Sequence, residues 1–382
     1  MKVVFVAPFM TAMVRGIERC VYEQAVRLAR RGARVDILYW PSQRAWPYGS
    51  LAGLPSLHLH QLPLPRYYQC GGAGLLYPLY LRALKPDIVN LYYSWQGEEV
   101  AHRLWRGAST ATVLNLQYPV EEVPARYGQL AASRVAARAG AIVACSAYVQ
   151  EGARAALGRE PIVIPNGVDA GYFAPADAET RRAARAALGI APDRLVLLTV
   201  GALEERKGVL KAIAALDALR ARGVDALYLV AGEGRQRAEL ERAMAARGLQ
   251  ARVLLAGVHA DPRPFYHAAD IFVFLARGEA APLAPLEAMA CGLAITASRR
   301  PPLDNLLSPA GTIFVDDDEP EDVAGAIALL AREPARRVAM GASNRARVVG
   351  DYGWDAVVDR FEALYRSIAP RGAVRPGVAT PL

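Results

Sequence analysis

Two acids, Glu279 and Glu287, and two cations, Arg206 and Lys207, stand where their side chains can act on a polar ligand. The acids end the stretch Glu279-Ala-Ala-Pro-Leu-Ala-Pro-Leu-Glu287, with seven residues between them. Glu279 follows an apolar, strand-like run from Asp270 to Leu275, and Glu287 is placed at the opening of an apolar, alanine-rich helix. Acids at a strand's C-terminal end and at the next helix start lie at the mouth of an open α/β sheet, where ligands bind. A carboxylate there accepts charge-assisted hydrogen bonds from hydroxyl groups, which suits sugars and ribose. The plainer alternative is a helix-capping Glu287 and a solvated loop acid at Glu279. The cations lie in Gly201-Ala-Leu-Glu-Glu-Arg-Lys-Gly208, between the strand candidate Leu195–Gly201 and a helix from about Val209. Gly201 lets the chain leave its strand tightly. A diphosphate at the helix start would meet two cations and free N–H groups. A solvated charged turn is the alternative there.

Other residues carry weaker signals. Gly16 opens the first helix after a loop with Thr11 and Arg15, and offers close backbone approach to an anion. It serves equally as a structural helix-start glycine. Gly232-Glu-Gly234 lacks the third glycine of a dinucleotide fingerprint. Ala256-Gly257-Val258 ends another strand, and its backbone is a candidate partner for a flat base edge that residue types alone do not establish. Asp316-Asp317-Asp318 precedes an acidic helix start, so capping accounts for it without a metal. His58 and His60 alternate on one face of an apolar stretch, but two histidines without a third ligand make a poor zinc site. No Gly-x-Ser-x-Gly and no Walker A pattern is present.

The elements that must position these residues alternate. Strand candidates in the first half are Lys2–Ala7, Arg34–Trp40, Asp87–Leu91, Ala111–Leu116, Ala141–Cys145 and Pro161–Ile164. In the second half they are Leu195–Gly201, Ala226–Ala231, Arg252–Ala256, Asp270–Leu275, Leu293–Ala297 and Thr312–Val315. Helical patterns lie between them. In the first, Ile17, Cys20, Val21, Ala25, Leu28 and Ala29 recur at helical spacing and Gly32 ends the run. Strands alternating with helices predict parallel sheets covered on both faces. Two such blocks predict an α/β protein of two doubly wound, Rossmann-like domains facing across a cleft. The boundary is expected at Pro165-Asn166-Gly167-Val168-Asp169, giving domains 1–168 and 169–353. A last helix, 354–368, has apolar Trp354, Val357, Val358, Phe361, Leu364 and Tyr365, and residues 369–382 read as a flexible tail.

Composition bounds the rest. With 382 residues, 53% hydrophobic and 21% charged, the chain has ample core for two domains and is not of the disordered class. The net charge of +8, carried almost wholly by arginine, suits phosphate-bearing ligands or an anionic surface, and equally a plain Arg/Ala-rich composition. Cys20, Cys70, Cys145 and Cys291 lack metal or redox spacing, so reduced cytoplasmic thiols are expected. The apolar N-terminus is too short for a signal segment, and no uncharged run approaches the roughly 20 residues of a spanning helix. A soluble protein, at most attached to a membrane surface, is expected.

With these motifs assembled, the chain resembles the retaining glycosyltransferases of family 4, which have the GT-B fold. The resemblance covers nearly the whole chain. It is strongest at Ile164-Pro-Asn-Gly-Val-Asp169, Val200–Gly208, Tyr266-His-Ala-Ala-Asp-Ile-Phe-Val273 and from Glu279 to Gly292. It implies that Glu287 holds ribose hydroxyls, that Lys207 with Arg206 neutralises a leaving diphosphate, and that Glu279 sits at the donor sugar. It further implies donor contacts from Gly16, Gly201, Val258 and the backbone of Ala280, Ala281 and Leu283. The helix from Trp354 would cross back to the N-terminal domain. Three departures stand out. Ala202 replaces a frequent arginine, for which Arg206 is placed to compensate. Ala280-Ala281 replaces a usual Gly-Phe pair. Asn90–Tyr93 and Leu116-Gln117-Tyr118 stand where histidines often face the donor sugar, leaving Gln117, Tyr118 and Arg15 as candidate sugar or acceptor contacts.

The function this implies is metal-independent, cofactor-free retaining transfer of a sugar from a nucleoside-diphosphate sugar, UDP or GDP in the first instance, to a hydroxyl acceptor. The acceptor would be a sugar or a lipid-linked molecule. It would be read by the N-terminal domain through Pro41–Leu84, which holds Trp46, Tyr48, Arg66, Tyr67, Tyr68, Tyr77 and Tyr80. A long loop packed on its own domain is the plainer account of that stretch. No nucleic-acid partner is expected. A cytoplasmic location follows, with peripheral contact at the inner membrane face as an open alternative. The rival reading is a non-catalytic nucleotide-sugar binder or a scaffold subunit of a glycan-assembly complex.

Overall fold

The computed structural model describes residues 1–7, 10, 16–39, 53–62, 76–93, 110–132 and 134–370. Thr11, Arg15, Trp46, Tyr48, Arg66, Tyr67, Tyr68, Cys70 and the tail beyond residue 370 lie outside them. Two compact units are present. One comprises Met1–Asn166 and Trp354–Leu382, the other Gly167–Gly353.

Each unit is built on a parallel sheet. The first holds β1 (Lys2–Val6), β2 (Arg34–Tyr39), β3 (Leu57–Gln61), β4 (Ile88–Tyr93), β5 (Ala111–Leu116), β6 (Ala141–Ala144) and β7 (Ile162–Val163). Their spatial order is β3-β2-β1-β4-β5-β6-β7. The second holds β8 (Leu195–Val200), β9 (Ala226–Ala231), β10 (Val253–Gly257), β11 (Ile271–Phe274), β12 (Ala294–Ser298) and β13 (Thr312–Val315), in the order β10-β9-β8-β11-β12-β13. Central strands such as β9 and β11 are buried along their whole length. Near-continuous apolar runs are what a parallel sheet covered on both faces requires. Side chains of adjacent residues then enter opposite cores. Val196, Leu198, Phe272 and Phe274 join one cluster, and Leu197, Ile271 and Val273 the other.

Both sheets reverse their strand order beside the first strand of the unit. The switch lies between β1 and β4 in one and between β8 and β11 in the other. At a switch point the connections leave to opposite faces and open a crevice at the strands' C-terminal ends. The helix Gly16–Arg30 comes next in the chain after β1, and the segment with Arg206 and Lys207 follows β8.

Two differences from the sequence reading concern the first unit, the strand Leu57–Gln61 and the helix Leu76–Leu84, whereas the helix at Trp354 lies as expected. Leu57–Gln61, read there only for its histidines, is an edge strand paired with β2. His60 Nε2 lies 2.6 Å from Oδ1 of the fully buried Asp36, so this histidine serves a buried carboxylate. Part of the Pro41–Leu84 stretch is the helix Leu76–Leu84, on which Leu79 is exposed. The helix Trp354–Ile368 buries Trp354, Val357, Val358, Phe361, Leu364 and Tyr365. It packs within the first unit: Arg31 reaches Asp359 at 2.6 Å, and Asn90 donates to the Tyr365 hydroxyl at 2.6 Å. Cys20, Cys145 and Cys291 are free and buried.

Candidate active site

The second unit gathers its polar residues at the C-terminal ends of β8, β10 and β11. β8 leads through Gly201 into a single 3-10 turn, Glu205–Lys207, and then into the helix Val209–Ala221. Gly208 joins turn and helix at φ 70°. A Cβ there would run into the carbonyl of Leu275, at the end of β11, so only glycine lets the turn approach so closely. The Arg277 N–H donates to the Arg206 carbonyl at 2.8 Å and ties the loop after β11 to the turn. The missing side chains of Gly232 and Gly234 let the loop after β9 press on the backbone of Gly201 and Leu203.

The cations and Glu279 converge. Glu279 Oε1 accepts from Arg206 Nη1 at 2.6 Å and from Lys207 Nζ at 2.5 Å. Arg206 Nε also donates to Glu204 Oε2 at 2.9 Å. The Lys207 and Glu279 side chains are only 13% and 12% exposed, whereas Arg206 is 40% exposed, so the lysine is the more desolvated cation. Burial opposes the Arg206 charge, but the Glu279 and Glu204 carboxylates outweigh it and hold its pKa above the ordinary arginine value. The Lys207 ammonium stands 5.7 Å from the centroid of the Phe274 ring. Such a cation on a ring face is favourable.

Glu287 stands differently from expectation. The helix is Leu283–Ala290, so Glu287 lies in its second turn and neither opens nor caps it. The apolar run from Leu283 already supplies the first turn, and Pro282 precedes it without a side-chain cap. Glu287 Oε2 instead accepts from the Tyr266 hydroxyl at 2.6 Å. Burial, with Glu287 adding to it, pushes the Tyr266 phenol well above its usual range and keeps it a donor. Ala280 and Ala281 form the half-buried link from Glu279 to this helix. Val258, just beyond β10, is 75% exposed.

Asp316–Asp318 also differ from the capping assigned to them. Arg300 and Lys211 both pair with Asp317 and Asp318, and no side chain caps the helix Pro320–Arg332. Asp317 and Asp318 follow β13, where Lys211 from the helix Val209–Ala221 and Arg300 from the segment after β12 reach them.

In the first unit, Gly16 begins its helix and is exposed. Gln117, just after β5, is buried. Its amide donates to Asn115 at 2.8 Å and accepts from Asn166 at 3.2 Å, so both ends are engaged within the unit. The Tyr118 carbonyl accepts from Tyr127 at 2.9 Å. Arg15 falls outside the described residues. Tyr266 and Glu204 are the site residues that sequence reasoning left without a role. Tyr266 lay within a recognised motif, but its meeting with Glu287 depends on packing across 21 positions. Glu204 is two residues from Arg206, and a turn pairs them.

Comparison with known proteins gives the family and the fold. The family described as Glycosyl transferases group 1 matches residues 180–347, and Glycosyltransferase Family 4 matches residues 14–172. A D-inositol 3-phosphate glycosyltransferase 1 of Catenulispora acidiphila is 30% identical over 284 residues, 70% of this chain and 67% of that protein. A GDP-mannose-dependent monoacylated alpha-(1-6)-phosphatidylinositol monomannoside mannosyltransferase of Corynebacterium glutamicum is 29% identical over 231 residues. That match spans 58% of this chain and 61% of the relative, less than two thirds of its length. Among solved structures, Anabaena Alr3699/HepE in complex with UDP has a TM-score of 0.82 at 17% identity, covering 96% of this chain and 100% of that one. Two parallel-sheet, Rossmann-like units with these family matches fix the assignment: the chain belongs to the GT-B glycosyltransferases of group 1 and family 4.

Proposed function

We propose that the protein is a retaining, metal-independent glycosyltransferase that moves a sugar from a nucleoside-diphosphate sugar to a hydroxyl acceptor. The observation that carries this reading is the meeting of Arg206, Lys207 and Glu279 at the switch point of the second sheet. The turn that holds the two cations runs directly into the helix Val209–Ala221. In transfer, the bond from the anomeric carbon to the diphosphate oxygen breaks while a bond to the acceptor oxygen forms on the same face. Positive charge grows on the sugar and negative charge on the diphosphate. Lys207, Arg206 and the N–H groups opening the helix stabilise the departing anion. The acceptor proton passes to a leaving-phosphate oxygen, so no separate base is required. Glu287, oriented by Tyr266, holds the ribose hydroxyls. Gly201, Val258, Ala280, Ala281 and Leu283 complete the donor contacts.

Residues 169–353 form the donor domain in this reading. Residues 1–168, with 354–368 packed on them, form the acceptor domain, contributing Gly16, Arg15, Gln117 and Tyr118. UDP and GDP sugars are the donors to test. The C. glutamicum relative is named for GDP-mannose, and the Anabaena structure was solved with UDP. Relatives named for inositol phosphate and phosphatidylinositol mannoside support a polyol or lipid-linked acceptor. Among the described residues no helix is long and apolar enough to cross a membrane. Exposed Leu79, on a helix with Arg82, supports peripheral contact with the inner membrane face. Flotation with anionic vesicles checks this, and protein left wholly in solution rejects it.

The engaged amide of Gln117 favours one rival, a non-catalytic sugar-nucleotide binder. Thermal shift against UDP, GDP, ADP and dTDP sugars, followed by transfer and hydrolysis assays on the donor that stabilises, separates the two. Binding without turnover across an acceptor panel would reject the enzyme reading.

A further inference from the structure

The site proposed for the diphosphate is not an open cationic patch. Lys207 and Arg206 share a single oxygen of Glu279, at 2.5 and 2.6 Å. Arg206 is held a second time by Glu204, and Arg277 pairs with Glu205 at 2.6 Å. Arg206, Lys207 and Arg277 face Glu204, Glu205 and Glu279, so three positive charges meet three negative ones. A neutral cluster draws an anion weakly. A diphosphate placed on Lys207 would also stand against the Glu279 carboxylate, a repulsion that is strong where water is excluded.

The two acids on Arg206 are not equivalent. Glu204 belongs to the same tight turn, two residues away, and accepts from the Arg206 Nε at 2.9 Å. Glu279 comes from the loop after β11, 72 residues from Lys207 and two residues past the backbone bond from the Arg277 N–H to the Arg206 carbonyl. It leads into the small side chains of Ala280 and Ala281.

We infer that Glu279 is a displaceable counter-anion: its carboxylate occupies the place of the donor diphosphate and moves from Arg206 and Lys207 to the sugar hydroxyls when the donor binds. Glu204 remains on Arg206 as the positioning acid. The exchange keeps the largely desolvated Lys207 and its neighbour Arg206 paired while the site is unliganded, which avoids the cost of an uncompensated charge. It also makes the diphosphate product easier to expel, because after transfer the carboxylate can return to the cations. The inference rests on the donor-site reading given above.

Calorimetric titration of the full chain with UDP, GDP, ADP and dTDP tests it, using the matching nucleosides as phosphate-free controls. For the nucleotide that binds, Glu279→Gln is expected to tighten the diphosphate by at least about fivefold, the smallest effect of removing a like charge at contact distance. Nucleoside binding should not change. Glu279→Asp, one methylene shorter, should tighten it in the same direction and serves if the glutamine variant does not fold. Glu204→Gln should weaken the diphosphate, because Arg206 loses its aim, with nucleoside binding again unchanged. A folded Glu279 variant binding the diphosphate no more tightly than wild type overturns the inference while leaving the donor-site reading standing. Equal tightening in Glu204→Gln overturns the division of roles. Wild-type protein that binds none of UDP, GDP, ADP and dTDP removes the donor-site reading and this inference with it.

Discussion

The stem of Lys207 lies beside Gly201: its Cε would stand 3.6 Å from a Cβ at that position, an ordinary packing distance. Its ammonium is the buried cation of the pair and the one that a departing diphosphate would need most. Removing a single stabilising donor in comparable sites costs about 10²–10³ in turnover. Lys207→Ala is therefore expected to lower kcat by that order with an unchanged melting curve, and near-normal turnover would exclude the role. Tyr266 makes a subtler test. Tyr266→Phe removes only the hydroxyl that aims Glu287. A hydrogen bond to a charged group contributes about 1.5–3 kcal/mol. Nucleoside and nucleoside-diphosphate affinity should fall together by at least about tenfold in this variant, because the ribose contact is common to both. An effect confined to the diphosphate would place Glu287 elsewhere.

At the scale of elements, the short turn Glu205–Lys207 is held from behind by Gly208 against Leu275. Any side chain at Gly208 faces a positive φ and a backbone collision at once. Gly208→Ala should destabilise the protein by at least about 2 kcal/mol in denaturant unfolding, with the donor site lost first. A neutral result would mean that the strand ends are looser than their packing requires. The elements themselves were largely legible in order. Ala226–Ala231, Ala111–Leu116 and Thr312–Val315 coincide with their strand candidates, because a buried parallel strand announces itself as a short apolar run. The edge strand β3 was missed. Its alternating histidines carry no such run, and its place depends on pairing with β2. Glu287 was put one turn too early because Pro282 starts the helix without a capping side chain to mark it.

At the scale of the whole molecule, the chain leaves the first unit at Asn166 and returns at Trp354. Val168 and Gly353 bridge each other within the second unit, and the Val168 N–H donates to the Tyr352 carbonyl at 2.9 Å. The returning helix buries six large side chains in the first unit. Each contributes about 1.5–3 kcal/mol, together comparable to the net stability of a domain, about 5–15 kcal/mol. A chain ending at Gly353 should therefore yield an unfolded first unit, visible as lost helical signal and aggregation. A soluble, cooperatively melting first unit would contradict this packing. Stability should also depend on pH through His267, whose pKa burial lowers below its ordinary 6.5, with Arg263 opposing the charge as well. The unfolded chain then binds the proton more tightly than the folded one. Stability is full above about pH 6.5 and declines as the pH falls below it. Melting temperatures between about pH 7.5 and 5.5 should drop in wild type and less steeply in His267→Gln. Equal slopes would assign the dependence to other groups.

Residue types and spacings were enough to show alternating strands and helices, the domain count, the apolar face of the helix at Trp354, and which acids and cations belong to loops at strand ends. These are local properties, written in periods of two and about 3.6 residues. Which carboxylate meets which cation was not local. Glu279 reaches Lys207 across 72 positions only because β11 pairs directly with β8 where the strand order reverses. The same packing gives Tyr266 to Glu287, turns Gln117 inward to Asn115 and Asn166, and sets Asp317 and Asp318 against Lys211 and Arg300. Backbone pairing over long separations brings these partners together, and no short window of the chain contains both members of such a pair.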